Sequence, residues 1–272
     1  MIHRPISTRS QVLFGIAGVL TLLVVYTGYS WWTQYQDPDA KYCPNWSQIW
    51  EQGVVSATTP QGIKGEVYLW SDFTQTFLRL FWALLFSVTV SLILGVAMGC
   101  FSAIEAFFLP PLAYLSKIPA TALLVIFFVL CGLTPKLFLA VVGFGLIPTL
   151  TQSFYLAAKE GVPPELLYKA RTLGASEAEC IWSVILPHIV PAIFEAVRLA
   201  VGPALIFLIA AELTFSSEGG VGARLRQLMH KSSEGMPMSI FYVALLGFIG
   251  LAIDYSLRRA RSWCCPWYEE KQ

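Results

Sequence analysis

The chain has 272 residues, 56% of them hydrophobic and 13% charged, with a net charge of +1 and a mean hydropathy of +0.62. A soluble domain carries about 25% charged residues, so this composition excludes one, and the near-neutral charge leaves no footprint for nucleic acid or acidic substrates. In a membrane, at about 20 residues per span plus loops, the length fits a single bundle of about six helices.

Arg4 and Arg9 precede an apolar run from Val12 to Trp32. The run is long for the core of a secretion signal and no A-x-A site follows it. Tyr26, Tyr29, Trp31, Trp32 and Tyr35 form an interfacial aromatic belt. The reading is an uncleaved first span with a cytoplasmic N-terminus. From Gln34 to Asp72 the chain is polar and punctuated by Asp37, Pro38, Pro44, Gly53, Pro60 and Gly62. Trp46, Ile49 and Trp50 within it predict a short amphipathic helix on the outer membrane surface.

Further spans are predicted over Phe73 to Cys100, Phe107 to Leu133, Leu137 to Ala158, Ile189 to Leu213 and Ser239 to Leu257. The third span is interrupted by Pro110, Pro111, Lys117 and Pro119, and a break there aims Lys117 into a pathway or leaves it to snorkel to the interface. Thr214 to Met238 reads as an outer loop with Gly219, Gly220 and Gly222, and a basic tail carries Trp263 and Trp267. Three segments result: residues 1–72, a core of residues 73–262 and a cytoplasmic tail of residues 263–272. Arg4, Arg9, Lys159, Lys169, Arg171, Arg258, Arg259, Arg261 and Lys271 on one side, against Lys41, Lys64, Lys136, Arg224, Arg226 and Lys231 on the other, favour a cytoplasmic side for both termini.

The polar stretch Pro163 to Pro187, PPELLYKARTLGASEAECIWSVILP, is the one that does not read as a span or a plain linker. A proline pair opens a helix. Leu166, Leu167, Ala170 and Leu173 recur at helical spacing and give an apolar ridge. Gly174 suits a left-handed helix terminus, and Ser176 with Glu179 makes a capping box for a second helix. Pro187 is expected to stop that helix. The prediction is two short helices, over about residues 163–186, joined by a tight Gly-Ala-Ser corner.

Ala170, Gly174, Val184, Leu186 and Pro187 follow the spacing of the EAA signature of ABC-importer permeases, with Tyr168 and Lys169 where that signature usually has Glu and its first Ala. FLRLFWALLFSVTVSLILGVAMG, LPPLAYLSKIPATALL, ARTLGAS, VILPHIVPAIFEAVRLAVG and AAELTFSSEGGVG extend the likeness from about Asp72 to Trp267. The chain thus resembles the nitrate/sulfonate/taurine branch of these permeases. The resemblance implies an all-α integral membrane protein of the type I importer permease fold, in a bacterial cytoplasmic membrane. It implies a second copy of the chain lining the pathway, an ABC ATPase dimer that holds ATP and Mg, an extracytoplasmic solute-binding protein, and a small anionic solute such as nitrate, taurine or an alkanesulfonate. The first helix of the pair would be the coupling helix, with Leu166, Leu167, Ala170, Arg171, Leu173, Gly174 and Ala175 facing the ATPase.

The chain has no G-x-x-x-x-G-K-[ST] run to cradle a triphosphate, no G-x-S-x-G elbow and no H-E-x-x-H. It is expected to be non-catalytic, with no cofactor and no metal of its own, since none of its six cysteines and three histidines shows zinc spacing. Ionisable residues within spans default to functional candidates. Lys117, Pro119, Arg198 and Glu212 are the pathway candidates. Arg198 also sits three residues from Glu195, and Asp254 four residues before Arg258, so a structural pair competes in each case. Glu212 stands at an outer gate in the resembled family, or is an interface carboxylate. An ion-coupled secondary transporter and a membrane scaffold without transport remain as alternatives.

Overall fold

A backbone amide in lipid has no water to bond, so apolar runs of spanning length close their hydrogen bonds as helix. The computed structural model describes residues 7–37, 43–60, 67–215, 219–231 and 235–267, and among these residues there are helices and no strands. Five helical runs are long and apolar enough to cross a membrane: Leu13–Gln36, Tyr68–Cys100, Pro135–Glu160, Glu177–Thr214 and Met236–Cys264. A bent pair, Ser102–Leu115 with Ala120–Cys131, makes a sixth if its two arms, angled at 82°, form one span. Arg4, Lys41, Lys64 and Lys271 lie outside the described residues.

The helices are α1 (Thr8–Gln36), α2 (Trp46–Gln48), α3 (Ser56–Thr58), α4 (Tyr68–Cys100), α5 (Ser102–Leu115), α6 (Leu124–Cys131), α7 (Pro135–Glu160), α8 (Pro164–Thr172), α9 (Glu177–Cys180), α10 (Leu186–Thr214), α11 (Val221–His230) and α12 (Met236–Cys264). They fall into two compact units, one of Met1–Tyr68 with Gln227–Val243, the other of Leu69–Arg226 with Ala244–Gln272.

In the first unit, Asn45 and Gln48 form a capping box that starts α2. The helix continues through a π-helical turn, Ile49–Val55, into α3. Trp46 stands edge-on to Tyr26 of α1 at 5.3 Å and donates from Nε1 to the Thr27 hydroxyl at 2.9 Å. The Tyr26 hydroxyl donates to the Pro44 carbonyl at 2.7 Å. The amphipathic segment therefore exists, with Ile49 buried and Trp50 exposed. A side chain at Gly53 would come within 2.9 Å of the Pro237 carbonyl oxygen.

The second unit is built round α7. Leu80 and Ala83 of α4, Phe138, Val142 and Phe154 of α7, and Ala204 and Leu208 of α10 are buried in one cluster. Small residues at four-residue spacing on α4 allow close approach to α7. The Ser91 hydroxyl donates to the Ile147 carbonyl at 3.2 Å. A Cβ on Gly95 would lie 2.7 Å from that of Phe154, and one on Gly99 2.6 Å from that of Ala158.

Two expectations need correction. Pro187 does not stop the second short helix: α9 runs through a π-helical turn, Ile181–Ile185, straight into α10, and Pro187 lies in the first turn of α10. In the π turn just ahead the Leu186 amide bonds the Ile181 carbonyl, and the proline follows in the first turn of α10, where a missing amide is tolerated. The segment from Thr214 to Met238 is not simply a loop, because α11 occupies its centre. Gly219 and Gly220 precede α11 with φ of 72° and 108°, a left-handed pair that reads as loop from sequence alone.

Candidate functional site

α8 is a short, polar helix between two spans. Glu165 stands in its first turn and Lys169 and Arg171 in its last, the order that complements the helix dipole. It ends in a Schellman motif. The Gly174 amide donates to the Arg171 carbonyl at 3.0 Å and the Ala175 amide to the Ala170 carbonyl at 3.1 Å, with Gly174 at φ 85°. The next helix begins at once. The Ser176 amide donates to Glu179 Oε2 at 2.7 Å, and the Glu179 amide to the Ser176 hydroxyl at 3.3 Å. Since α9 is the first turn of a 38-residue run, Glu177–Thr214, the corner is hydrogen-bonded directly onto a span.

The four predicted ridge residues of α8 divide between two faces. Leu167 turns inward onto the cluster of Val96, Ala158, Val162, Ile185 and Ile189, and Ala170 is half-buried. Leu166 is exposed and Leu173 is 88% exposed. The helix therefore has a face seated on the bundle and a face that presents Leu166, Leu173 and the cap residue Gly174 outward. Arg171 is exposed and lines a small cavity of about 160 Å³ with Lys159, Glu177, Cys100 and Cys180. Ala175 is half-buried in the corner. Sequence reasoning did not single out Trp182, which is 72% exposed, and noted Tyr168, 68% exposed, only as a departure from the signature. Tyr168 departs from the signature's usual glutamate, and that departure was the available signal.

The break between α5 and α6 makes the second feature. Lys117 and Ile118 close a tight turn on the Tyr114 and Leu115 carbonyls at 3.1 Å each, and Pro119, with no amide to donate, ends it. The break walls a cavity of about 520 Å³. Its lining includes Ser116, Lys117 and Pro119 from the break, Thr149 and Ser153 from α7, and Phe207 from α10. Lys117 is the one charged residue among the described lining residues, and its walls are otherwise apolar or hydroxyl-bearing. Gly145 permits the cavity's shape, since a Cβ there would lie 2.3 Å from the Phe207 ring.

Arg198 and Glu212 lie elsewhere. Arg198 bonds Glu195 through Nε at 3.1 Å and also through Nη2, and donates from Nη1 to Asp254 at 2.9 Å. Arg261 reaches Glu195 at 3.0 Å, and Arg258 reaches Asp254 at 2.9 Å. The expected local pairs, Glu195 with Arg198 and Asp254 with Arg258, thus fuse into a network that ties α10 to α12. Arg198 does not line the cavity at the break.

Glu212 is completely buried. Its carboxylate accepts from the Thr76 hydroxyl at 2.9 Å, Arg79 Nη1 at 2.8 Å and the Gly222 amide at 3.0 Å. Arg79 Nη1 also donates to the Gly219 carbonyl at 2.9 Å, and the Val221 amide donates to the Thr76 hydroxyl at 2.9 Å. A side chain at Gly220 or Gly222 would come within 2.6 Å of Glu212, so these glycines let the backbone close on the carboxylate. A second ion pair, Asp72 to Arg224 at 2.8 Å, holds α11 to α4. Glu212 is therefore the centre of a knot joining α4, the end of α10 and the start of α11.

Residues 87–261 match the model of the binding-protein-dependent transport system inner membrane component family, well over half of the chain. The chain belongs to this family. This ABC-importer permease subunit is 25% identical over 266 residues to the taurine transport system permease protein TauC of Escherichia coli strain K12, covering 96% of this chain and 92% of that one. It is 31% identical over 97 residues to the nitrate import permease protein NrtB of Synechococcus elongatus, covering 34% of this chain and 33% of that one. Its fold is that of a type I importer permease. The solved structure of the MetNI methionine ABC transporter in inward facing conformations superposes with a TM-score of 0.65 at 17% identity, covering 75% of this chain and 99% of that one. The permease is a multi-pass membrane protein of the branch that contains the taurine and nitrate permeases.

Proposed function

We propose that this permease forms the translocation pathway of an ATP-driven importer for a small anionic solute in a bacterial cytoplasmic membrane, with both termini on the cytoplasmic side. Two copies of the chain line the pathway, an ABC ATPase dimer holds the nucleotide and Mg, and an extracytoplasmic binding protein delivers the solute. The chain itself carries out no hydrolysis. The observation that carries this reading is the corner at Gly174. A capped, hydrogen-bonded turn presents Leu166, Leu173 and the turn itself outward and continues without a joint into a span, so a push on the corner becomes a displacement of α10 rather than being lost in a loop. The cavity at the break supports the anionic class. Lys117, an exposed residue, is the one charged residue among apolar and hydroxyl-bearing lining residues, which favours an anion over a cation there.

The test is uptake in proteoliposomes holding the permease with its ATPase and binding protein, with labelled taurine and nitrate as probes. Uptake of at least one of them is expected to require ATP hydrolysis and the binding protein, and to survive collapse of ion gradients by ionophores. Uptake that proceeds without ATP and stops when the gradients collapse contradicts the proposal and indicates a secondary transporter.

A further inference from the structure

A second cavity, of about 420 Å³, opens between α4 and α7, away from both features above. Its wall includes Leu78, Arg79 and Trp82 of α4 and Lys136, Phe138 and Leu139 of α7. The volume lies within the range of small-molecule sites. Depth, charge and lining together identify what fits it.

The depth follows from the two flanking helices. No charged residue occurs on α4 between Arg79 and Cys100, nor on α7 between Lys136 and Lys159. The two helices run alongside in the same direction, since Arg79 lies over the Phe138 ring at 4.3 Å and Gly95 faces Phe154 further along. Arg79 and Lys136 therefore stand at the same edge of one uncharged slab, which at about 20 residues is about 30 Å thick, the thickness of a bilayer's hydrocarbon core. That edge is where lipid headgroups lie, and Trp82 stands about one helical turn deeper.

The charge is one-sided. Arg79 is committed to Glu212 and the Gly219 carbonyl, whereas Lys136 makes no ion pair among the described residues and no carboxylate lines the cavity. Apart from Gln75 at the same end, the rest of the lining is apolar, and Leu78 and Trp82 are exposed, so the cavity is open along its length. Small hydrophilic solutes have no use for such a wall, but an amphiphile does.

We propose that this cavity binds a membrane phospholipid. Lys136 pairs with the phosphodiester, Leu78 flanks the glycerol and ester level, and the first methylenes of an acyl chain lie along Trp82 and Leu139, about one helical turn deeper. Because Arg79 is both part of the wall and the partner of Glu212, the lipid abuts the knot that joins α4, α10 and α11.

Native mass spectrometry of the full chain released from detergent tests this, with dioleoyl phosphatidylglycerol and dioleoylglycerol as probes. The two differ only in the phosphate-bearing headgroup. The phosphatidylglycerol is expected to be retained about fivefold over dioleoylglycerol, the increment that one lysine near a membrane surface supplies. Lys136→Ala removes that preference, Lys136→Arg keeps it, Leu139→Trp fills the cavity and loses both lipids, and Lys231→Ala, remote in sequence, changes nothing. A preference that survives both Lys136→Ala and Leu139→Trp overturns the proposal. So does a Lys136→Arg chain that melts like wild type but has lost the preference. Efficient cross-linking of Lys136→Cys to the same position of another copy, with no lipid retained, assigns the cavity to a dimer contact and overturns it as well.

Discussion

Replacing Gly174 by valine is expected to cut ATP-driven uptake roughly 5–30-fold while leaving the protein inserted in the membrane. Gly174 has φ 85°, and nothing lies within 4 Å of where its Cβ would be. The substitution therefore meets no steric neighbour, and its whole cost falls on the backbone. A side chain in the left-handed region costs about 1–2 kcal/mol, most of all when β-branched. That amount corresponds to a factor of about 5–30 in an equilibrium, and the chain escapes it by opening the turn and breaking the Gly174 to Arg171 and Ala175 to Ala170 hydrogen bonds. The corner then becomes a hinge and absorbs the displacement. Gly174→Asn, which tolerates a left-handed conformation, is expected to retain most uptake. Uptake measured in proteoliposomes, normalised to inserted protein, checks both variants. Wild-type uptake by Gly174→Val would show that the turn's rigidity is irrelevant to transport.

Glu212→Ala is expected to have the largest effect on stability. Removing the carboxylate takes a buried ion-pair partner at 2.8 Å from the Arg79 guanidinium, whose side chain is only 13% exposed, and strips an acceptor from the Thr76 hydroxyl and the Gly222 amide. Breaking one side of a buried ion pair costs about 3–5 kcal/mol. A double variant, Glu212→Leu with Arg79→Met, is expected to recover most of that loss, since replacing both charges by apolar groups is often neutral. Thermal unfolding in detergent micelles measures both. If Glu212→Ala melts with wild type, the knot does not hold the end of α10 to α4 and α11.

These two sites differ in how visible they were before the structure. The corner is made of neighbours. Gly174, Ser176 and Glu179 meet within one turn of chain, so local chemistry dictates the cap, the reversal and the new start. The break in the third span is equally local, since Lys117 stands two residues before Pro119 in a run already weakened by Pro110 and Pro111. Glu212 could be flagged as a charge in a span, but its partners Thr76 and Arg79 lie 136 and 133 residues away, a distance no spacing rule reaches. The same limit applies to Arg198. Its bond to Glu195 is an i, i+3 contact, whereas Asp254 and Arg261 join only because α12 packs against α10.

The division of α8 into two faces was hidden for a related reason. Helical spacing places Leu166, Leu167, Ala170 and Leu173 near one another, but only the cluster around Ile185 and Ile189 decides that Leu167 turns inward and Leu173 outward. Pro187 does not end its helix, and neither do Pro148, Pro191 and Pro203, which lie inside α7 and α10, because proline marks a helix boundary only where packing does not hold the run helical.

The most direct test of the lever is the side of the membrane on which Leu173 lies and what touches it there. A Leu173→Cys variant, made in a chain whose exposed Cys264 is replaced by serine, is expected to cross-link to the partner ATPase in inside-out vesicles. The yield should change between nucleotide-free and ATP-bound conditions, and a membrane-impermeant maleimide applied to intact cells should leave the position unlabelled. Labelling of Leu173→Cys from outside intact cells, with no cross-link to the ATPase under either condition, would contradict the account.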